Sequence, residues 1–380
     1  MSSSSFPCAD WAAYRAGAVL TVDLAAIADN YRQLTQRTVG AVCAAVVKAD
    51  AYGLGAAQVA PVLEQAGAQE FFVAHVDEGL ALKPYVSDRT RITVLHGARP
   101  QALQDCVQSG LRPVLNSLEQ IAQLRALAEK TDRPFDAVLQ LDTGMSRFGL
   151  SEADVKEISE NTSLLKGISV SLIMSHLACA DSPENPANEW QRDNLKAYAA
   201  LLPAAPLSLA ASSGVFLGPE YHLNLVRPGA ALYGVAPNTT APNPLKQVVR
   251  LQAHVLQTRS LSKGDRVGYG LTWQAEGPCR VATIATGYAD GFARAGASTG
   301  CVWFNGKKLP ILGRISMDSM TVDVSSVPEH ELGPDALVDL LNSDYGVDDV
   351  AKAESTIGYE ILTSLGRRYH RVYQNTSEAI

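Results

Sequence analysis

Val42-Cys43-Ala44-Ala45-Val46-Val47-Lys48-Ala49-Asp50-Ala51-Tyr52-Gly53-Leu54-Gly55 is a short apolar run that stops at a lysine and breaks into a glycine-bearing turn. No polar residue alternates with the apolar ones before Lys48, which is the pattern of a strand covered on both faces. The same theme recurs as far as Gly234. Runs at Phe71–His75, Ile92–His96, Arg112–Asn116, Phe135–Leu141, Ile168–His176, Leu207–Ser212 and Leu223–Arg227 each end in polar or glycine residues. Segments with helical spacing lie between them, such as Leu118–Lys130, opened by Ser117, and Trp190–Leu202. Counting Val42–Lys48, eight strand-helix repeats predict an α/β fold, a (β/α)8 barrel of TIM type. A doubly wound open sheet is the alternative on periodicity alone.

Beyond Tyr233 the character changes. Ala236–Leu245 is rich in proline and asparagine and reads as a linker. Strand-like runs follow at Val248–Ser260, Cys279–Thr286, Cys301–Phe304, Leu309–Ile315 and Met320–Val324, with Asn305-Gly306 as a hairpin turn signal. The expected organisation is an N-terminal extension over 1–17, a barrel over 18–237 and a mostly β C-terminal domain over 238–380. A strand at 18–24, ahead of the first barrel unit, could belong to either domain.

Composition narrows the function. Of 380 residues, 47% are hydrophobic and 19% charged, an ordinary globular balance, and the net charge of -7 argues against a nucleic-acid partner. Met1 to Ala18 lacks the basic start and apolar run of an export signal. No stretch is apolar for long enough to span a membrane, so a cytoplasmic protein is expected. Cys8, Cys43, Cys106, Cys179, Cys279 and Cys301 are scattered without a CxxC pair, which speaks for reduced thiols and against a disulfide framework or metal site. There is no GxSxG elbow, GxGxxG loop or P-loop, so hydrolase and nucleotide-binding readings fail.

The chemistry-bearing residues stand where the barrel strands end. A lysine at the C-terminal end of a barrel strand sits where such folds build active sites, and desolvation there favours Schiff-base chemistry with an aldehyde. Tyr52, four residues after Lys48, could reach a phosphate. A lone Lys-x-x-x-Tyr is more often a surface lysine near a packing tyrosine, so the flanking sequence has to decide. Arg147, in Leu141-Asp142-Thr143-Gly144-Met145-Ser146-Arg147-Phe148-Gly149, offers a fixed fork of donors to a carboxylate or phenolate. The sixth run delivers His176. The seventh ends Ala211-Ser212-Ser213-Gly214, and the eighth reads Val226-Arg227-Pro228-Gly229-Ala230. Small hydroxyls and backbone amides on late barrel loops suit a phosphate.

Val46 to Gly55 resembles the cofactor-lysine signature of the alanine racemases, the two-domain branch of the barrel-type (fold-type III) pyridoxal-phosphate enzymes. The resemblance runs in order from about Val19 to Arg371. It implies a pyridoxal 5'-phosphate enzyme that interconverts L- and D-alanine by two bases on opposite faces of the α-carbon, Lys48 and Tyr269. D-alanine for cell-wall peptidoglycan is the expected use. Tyr269 comes from Val267-Gly268-Tyr269-Gly270-Leu271-Thr272-Trp273, which is similar to the family's second-base segment.

By the same resemblance, Tyr52, His176, Ser213, Arg227, Gly229, Ala230 and Tyr359 bind the cofactor, with Arg227 at the pyridine nitrogen. Arg147 and the Met317 backbone meet the substrate carboxylate, Tyr288 is an entrance residue, and Tyr359 narrows the entrance as well as touching the phosphate. The family is expected to assemble as a head-to-tail homodimer, in which each site takes Lys48 from one chain and Tyr269 and Met317 from the other. Some positions depart from the pattern. Gln140 stands where many members carry a carbamylated lysine, Ser212 where asparagine is frequent, and Ser316 where cysteine is. A broader amino-acid racemase, a decarboxylase and a non-catalytic pyridoxal-phosphate-binding barrel are the competing readings. The Arg227 and Tyr269 segments match the racemases rather than the last two.

Overall fold

The computed structural model describes residues 12–297 and 299–375. The first part of the expected N-terminal extension, including Cys8, lies outside the described residues. Two compact units emerge, one of Ile27–Lys246 and one of Met1–Ala26 with Gln247–Ile380.

The first unit is a parallel barrel. Its strands are Glu70–Val73, Arg91–Val94, Arg112–Leu115, Phe135–Gln140, Ile168–Met174, Leu207–Ala211 and Leu225–Arg227, each paired in parallel with its neighbour. The opening run closes the ring by pairing on both sides. Val42–Cys43 joins Leu225–Val226, while Ala45–Val46 joins Phe71–Phe72. Between those halves the Ala44 N–H donates to Val226 O at 2.9 Å, and beyond them Val47 donates to Phe72 O at 2.9 Å. An open doubly wound sheet would leave two edges. Here the first strand meets the last.

Burial explains the apolar runs: every residue of Glu70–Val73 and Arg112–Leu115 is buried, as expected where helices cover one face and barrel side chains fill the other. The charged residues in those runs pair with each other. Arg112 donates to Glu70 at 2.8 Å, to Thr93 Oγ1 at 2.9 Å and to Ser171 Oγ at 3.1 Å, at the strand starts, away from the functional end.

Helix Leu118–Thr131 opens as expected, with Ser117 Oγ accepting the Gln120 N–H at 3.3 Å. The helix expected over Trp190–Leu202 instead spans Ala187–Ala199. Asn185 Oδ1 accepts the Ala187 N–H at 3.0 Å and starts the turn early, and Pro203 lies too close for the helix to continue.

In the second unit a long bent strand, Val249–Leu261, organises a mostly antiparallel sheet. Its first half lies between Ala18–Asp23 and Leu337–Leu341, and its second half pairs with Cys279–Ile284 after a register shift between Val255 and Gln257. Through Met320–Asp323, Lys307–Leu312 and Cys301–Phe304 the sheet returns to Leu337–Leu341, giving a barrel-like ring. Ala18–Asp23 therefore lies in this sheet, flanked on its other side by His370–Gln374. The Asn305-Gly306 hairpin has φ values of 47° and 74°, both positive as a type I′ turn requires. The linker segment is tied to the barrel unit: Asn30 accepts the Lys246 N–H at 2.8 Å and donates to Leu232 O at 3.2 Å.

Candidate active site

The turn after the first strand decides the site. Ala49, Asp50, Ala51 and Tyr52 all have positive φ, at 53°, 56°, 53° and 56°. This is a left-handed helical turn built without glycine, in a conformation that costs L-residues about 1–2 kcal/mol each. Hydrogen bonds hold it: Ala51 N–H to Val47 O at 2.9 Å, Gly53 N–H to Ala49 O at 2.7 Å, and Ala56 N–H to Asp50 Oδ1 at 2.7 Å. The Ala49 N–H donates to Glu78 Oε1 at 2.8 Å. Strain that persists under such restraint is typical of functional sites.

The left-handed turn leaves Lys48 half-buried at the strand end and sends Tyr52 inward, where its ring centroid lies 5.0 Å from that of Tyr233. The Tyr52 hydroxyl stands over Gly229, and a Cβ at that position would collide with it. Ser212 Oγ accepts the Gly229 and Ala231 N–H groups at 3.0 and 3.1 Å. The Gly229 amide is thus committed to Ser212, which the sequence had marked only as a departure. Ser213, one residue on, is partly exposed, and Ala230 opens the next short turn. A hydroxyl, a small serine and a glycine that leaves room form a cradle with the chemistry of a phosphate site.

Arg227 lies below, fully enclosed. It donates to the Ser208 hydroxyl and, at 2.7 Å, to Ser175 O, and no carboxylate pairs with it among the described residues. Burial pushes its guanidinium down to about 10, so it keeps its proton at neutral pH. The His176 imidazole is pushed down to about 3 by burial and then by Arg227, Arg147 and Lys48. It is neutral. Burial and then Arg147 lower the Lys48 ammonium, while Glu78 opposes them. Cationic groups thus converge at the strand ends, a field suited to an anionic ligand.

Arg147 rides a loop pinned by Asp142, whose Oδ1 accepts the N–H groups of Gly144, Met145 and Ser146 at 2.9, 3.1 and 3.1 Å. Gln191 ties neighbouring loops together, donating to His176 O at 3.1 Å and accepting from Ala178 N–H at 2.8 Å. Gln140 is buried at the end of the fifth strand, and its carbonyl accepts the Leu150 N–H at 2.8 Å. A carboxamide there cannot form a carbamate. His96 and His75 stack edge to face at 4.6 Å, with Phe148 5.2 Å from His96.

The remaining expected residues belong to the second unit. Tyr269 opens a short turn, Tyr269–Leu271, and is 68% exposed. Tyr288 and Met317 are exposed too, on adjoining segments: the Tyr288 N–H donates to Ser316 O and the Ala289 N–H to Met317 O, both at 3.0 Å. Arg368 locks these segments, binding Asp290 through two bonds of 2.7 and 2.8 Å and Asp318 at 2.6 Å. Tyr359 stands at the start of helix Gly358–Ser364, half-buried.

Comparison with known proteins agrees with this geometry. Residues 22–237 match the family model for the N-terminal domain of alanine racemase, and 248–373 match the model for its C-terminal domain. The chain belongs to the alanine racemase family. A curated relative from Mesorhizobium japonicum, named a catabolic alanine racemase, is 50% identical over 94% of this chain and 93% of its own length. One of the same name from Agrobacterium fabrum is 48% identical over 93% and 91%. The crystal structure of alanine racemase from Bartonella henselae, described with covalently bound pyridoxal phosphate, superimposes with a TM-score of 0.91 at 42% identity, covering 94% of this chain and all of that one.

Membership makes the chain an isomerase of a pyridoxal-phosphate-dependent family. Within the barrel unit the fold gathers Lys48, Tyr52, Arg147, His176, Ser213, Arg227, Gly229 and Ala230 at one end. Reading the sequence missed Glu78, Ser212, Asp142, Gln191 and His96. Asp142 carried a local signal, an aspartate opening a glycine-bearing loop. Glu78 also caps its own helix, but its contact with Ala49, like those of Ser212, Gln191 and His96, reaches a different segment of the chain.

Proposed function

We propose that the protein racemises alanine, with pyridoxal 5'-phosphate carried on the Lys48 amine. The observation that carries this reading is the half-buried Lys48, its charge disfavoured by burial and by Arg147, at a barrel mouth beside the Tyr52–Gly229 cradle. Tyr52, Ser213 and the Ala230 amide would hold the phosphate, with Gly229 leaving room for it and Tyr359 adding a hydroxyl. His176 and Arg227 would flank the ring. Bound there, the cofactor supplies the delocalised system that shares the electron pair left when a proton leaves the substrate α-carbon.

The chain's own residues do the rest. Arg147 would bind the substrate carboxylate with the Met317 N–H. The Lys48 Nζ would exchange a proton on one face of the α-carbon and the Tyr269 hydroxyl on the other. Arg227 retains its proton rather than surrendering it to the ring nitrogen, which keeps the cofactor a weaker electron sink than an acidic partner would make it. That favours simple proton return over side reactions.

Tyr269 and Leu271, in the segment of the proposed second base, and Tyr288 and Met317 in two further segments of the second unit are large exposed side chains. A second copy of the chain would cover them and exclude water from the site, the homodimer with shared sites. Enantiomers have equal free energy, so these residues do not set the direction of flux. D-alanine for peptidoglycan and D-alanine breakdown are both open to the same site, and the catabolic names of two close relatives favour the latter. No helix among the described residues is long and apolar enough to cross a membrane, and a cytoplasmic location is part of this reading.

The test is borohydride reduction of the cofactor-loaded protein followed by peptide mapping, with turnover assays on D- and L-alanine, serine and lysine. The cofactor mass is expected on Lys48, with alanine turned over fastest. Cofactor on another lysine, or preference for another amino acid, would sink the assignment.

A further inference from the structure

Glu78 has no role in the reading above, yet it touches the most strained segment of the barrel. It lies in helix Val76–Leu82, and its carboxylate takes three backbone N–H groups from two strand ends. Oε1 accepts Ala49 at 2.8 Å, and Oε2 accepts Ala74 at 2.6 Å and His75 at 3.2 Å. Ala49 is the first residue of the left-handed turn and follows Lys48 directly; Ala74 and His75 follow the neighbouring strand Glu70–Val73. One side chain therefore clamps the Lys48 turn to the next strand of the barrel.

The charged and titratable groups around Lys48 come from several elements. Arg147 stands on the loop after the fifth strand, His96 after the third, His176 after the sixth, and Glu78 on the helix after the second. Arg147 adds positive charge and His176 is neutral, so Glu78 is the anion that offsets Arg147 beside Lys48. A glutamine oxygen could still accept either Ala49 or the Ala74 and His75 pair, but its amide nitrogen would face the remaining donor and carry no charge. An aspartate would keep the charge, one methylene too short to reach all three.

We propose that Glu78 is the positioning residue of the Lys48 turn, clamping the left-handed backbone through Ala49, Ala74 and His75 and holding one negative charge beside the Lys48 amine. The inference rests on Lys48 being the cofactor lysine. Its first test does not: the cofactor is removed with hydroxylamine, and labelling of Lys48 by trinitrobenzenesulfonate is followed against pH by peptide mass. Wild type, Glu78→Gln and Glu78→Asp are compared, with thermal midpoints measured alongside.

Loss of the anion favours the neutral amine, so the labelling midpoint of Glu78→Gln should move to lower pH, by about half a unit or more. Glu78→Asp should keep a midpoint near that of wild type. Both variants should bind pyridoxal phosphate more weakly, by an amount on the order of tenfold, as expected for a lost charge-assisted hydrogen bond. An unchanged midpoint in folded Glu78→Gln overturns the proposal even where its thermal midpoint falls, because the glutamate would then be merely structural. So does wild-type cofactor affinity in both variants. If wild type takes no cofactor at Lys48, the functional reading fails by itself while the labelling comparison still reports on Glu78.

Discussion

At the scale of single residues, the site depends on protonation states that burial sets. His176 is the sharpest case. Burial, Arg227, Arg147 and Lys48 hold its imidazole at about 3, against 6.5 in an unfolded chain. Between those values the unfolded chain binds a proton that the folded protein refuses, so stability present above pH 6.5 is lost as pH falls. From pH 6.5 to 5 the apoprotein should lose roughly 1–2 kcal/mol on this account. Urea unfolding at the two pH values should show that loss reduced in His176→Asn; an equal loss in both would mean that the imidazole is not held neutral. Tyr269 answers to kinetics instead. Its replacement by phenylalanine should lower turnover on the order of 10²–10⁴-fold while Lys48 still takes up cofactor. If Tyr269 serves L-alanine and Lys48 D-alanine, as the family resemblance implies, the loss is one-sided. Solvent-deuterium incorporation in single turnovers should therefore become unequal between the two enantiomers. Small, equal effects would argue for one base.

Among the elements, the left-handed turn over Ala49–Tyr52 is the one whose conformation the protein maintains against local preference. Ala49 is exposed and has φ 53°. Glycine enters that region freely, whereas a β-branched residue is strained there. Ala49→Gly should stabilise the apoprotein by about 1 kcal/mol, less any entropy the glycine adds to the unfolded chain. Ala49→Val should destabilise it by about 1–3 kcal/mol. Denaturant melts of the two variants decide the point: the opposite order would mean that the turn is not left-handed in solution. The strain has a geometric yield, since it places Tyr52 over Gly229 while Lys48 stays at the strand end.

For the molecule as a whole, the question is which chain completes each site. The shared-site homodimer predicts complementation. Lys48→Ala and Tyr269→Ala homodimers should each be almost inactive. A heterodimer of the two contains one doubly crippled site and one with both bases intact, so activity should return when the variants are unfolded and refolded together. About half of a wild-type dimer's activity is the heterodimer's ceiling, because one of its two sites is dead by construction. If heterodimers form, as a size or affinity tag on each variant would show, and activity stays at the level of the separate variants, the shared site is wrong.

The sequence by itself determined a parallel α/β fold, because eight apolar runs at the spacing of strand-helix units bury both faces of each strand whatever their order in space; the pairing of Val42–Cys43 with Leu225–Val226 decided that the sheet closes. It also offered Lys48, Tyr52, Arg147, His176 and Arg227 as candidates at or just beyond strand ends, and the resemblance to the racemases supplied their expected roles. The hairpin at Asn305-Gly306 was legible because two residues fix the turn. Strands Leu337–Leu341 and His370–Gln374 were harder, because short runs near helices carry no periodicity of their own, and the sheet partner of Ala18–Asp23 lies more than two hundred residues away. Tertiary structure alone decided that Glu78 would grip Ala49, that Ser212 would take the Gly229 amide, and that Gln191 would join the His176 loop. Those contacts join residues that no periodicity couples, across neighbouring strand ends, and closure of the ring adds the meeting of Tyr52 with Gly229.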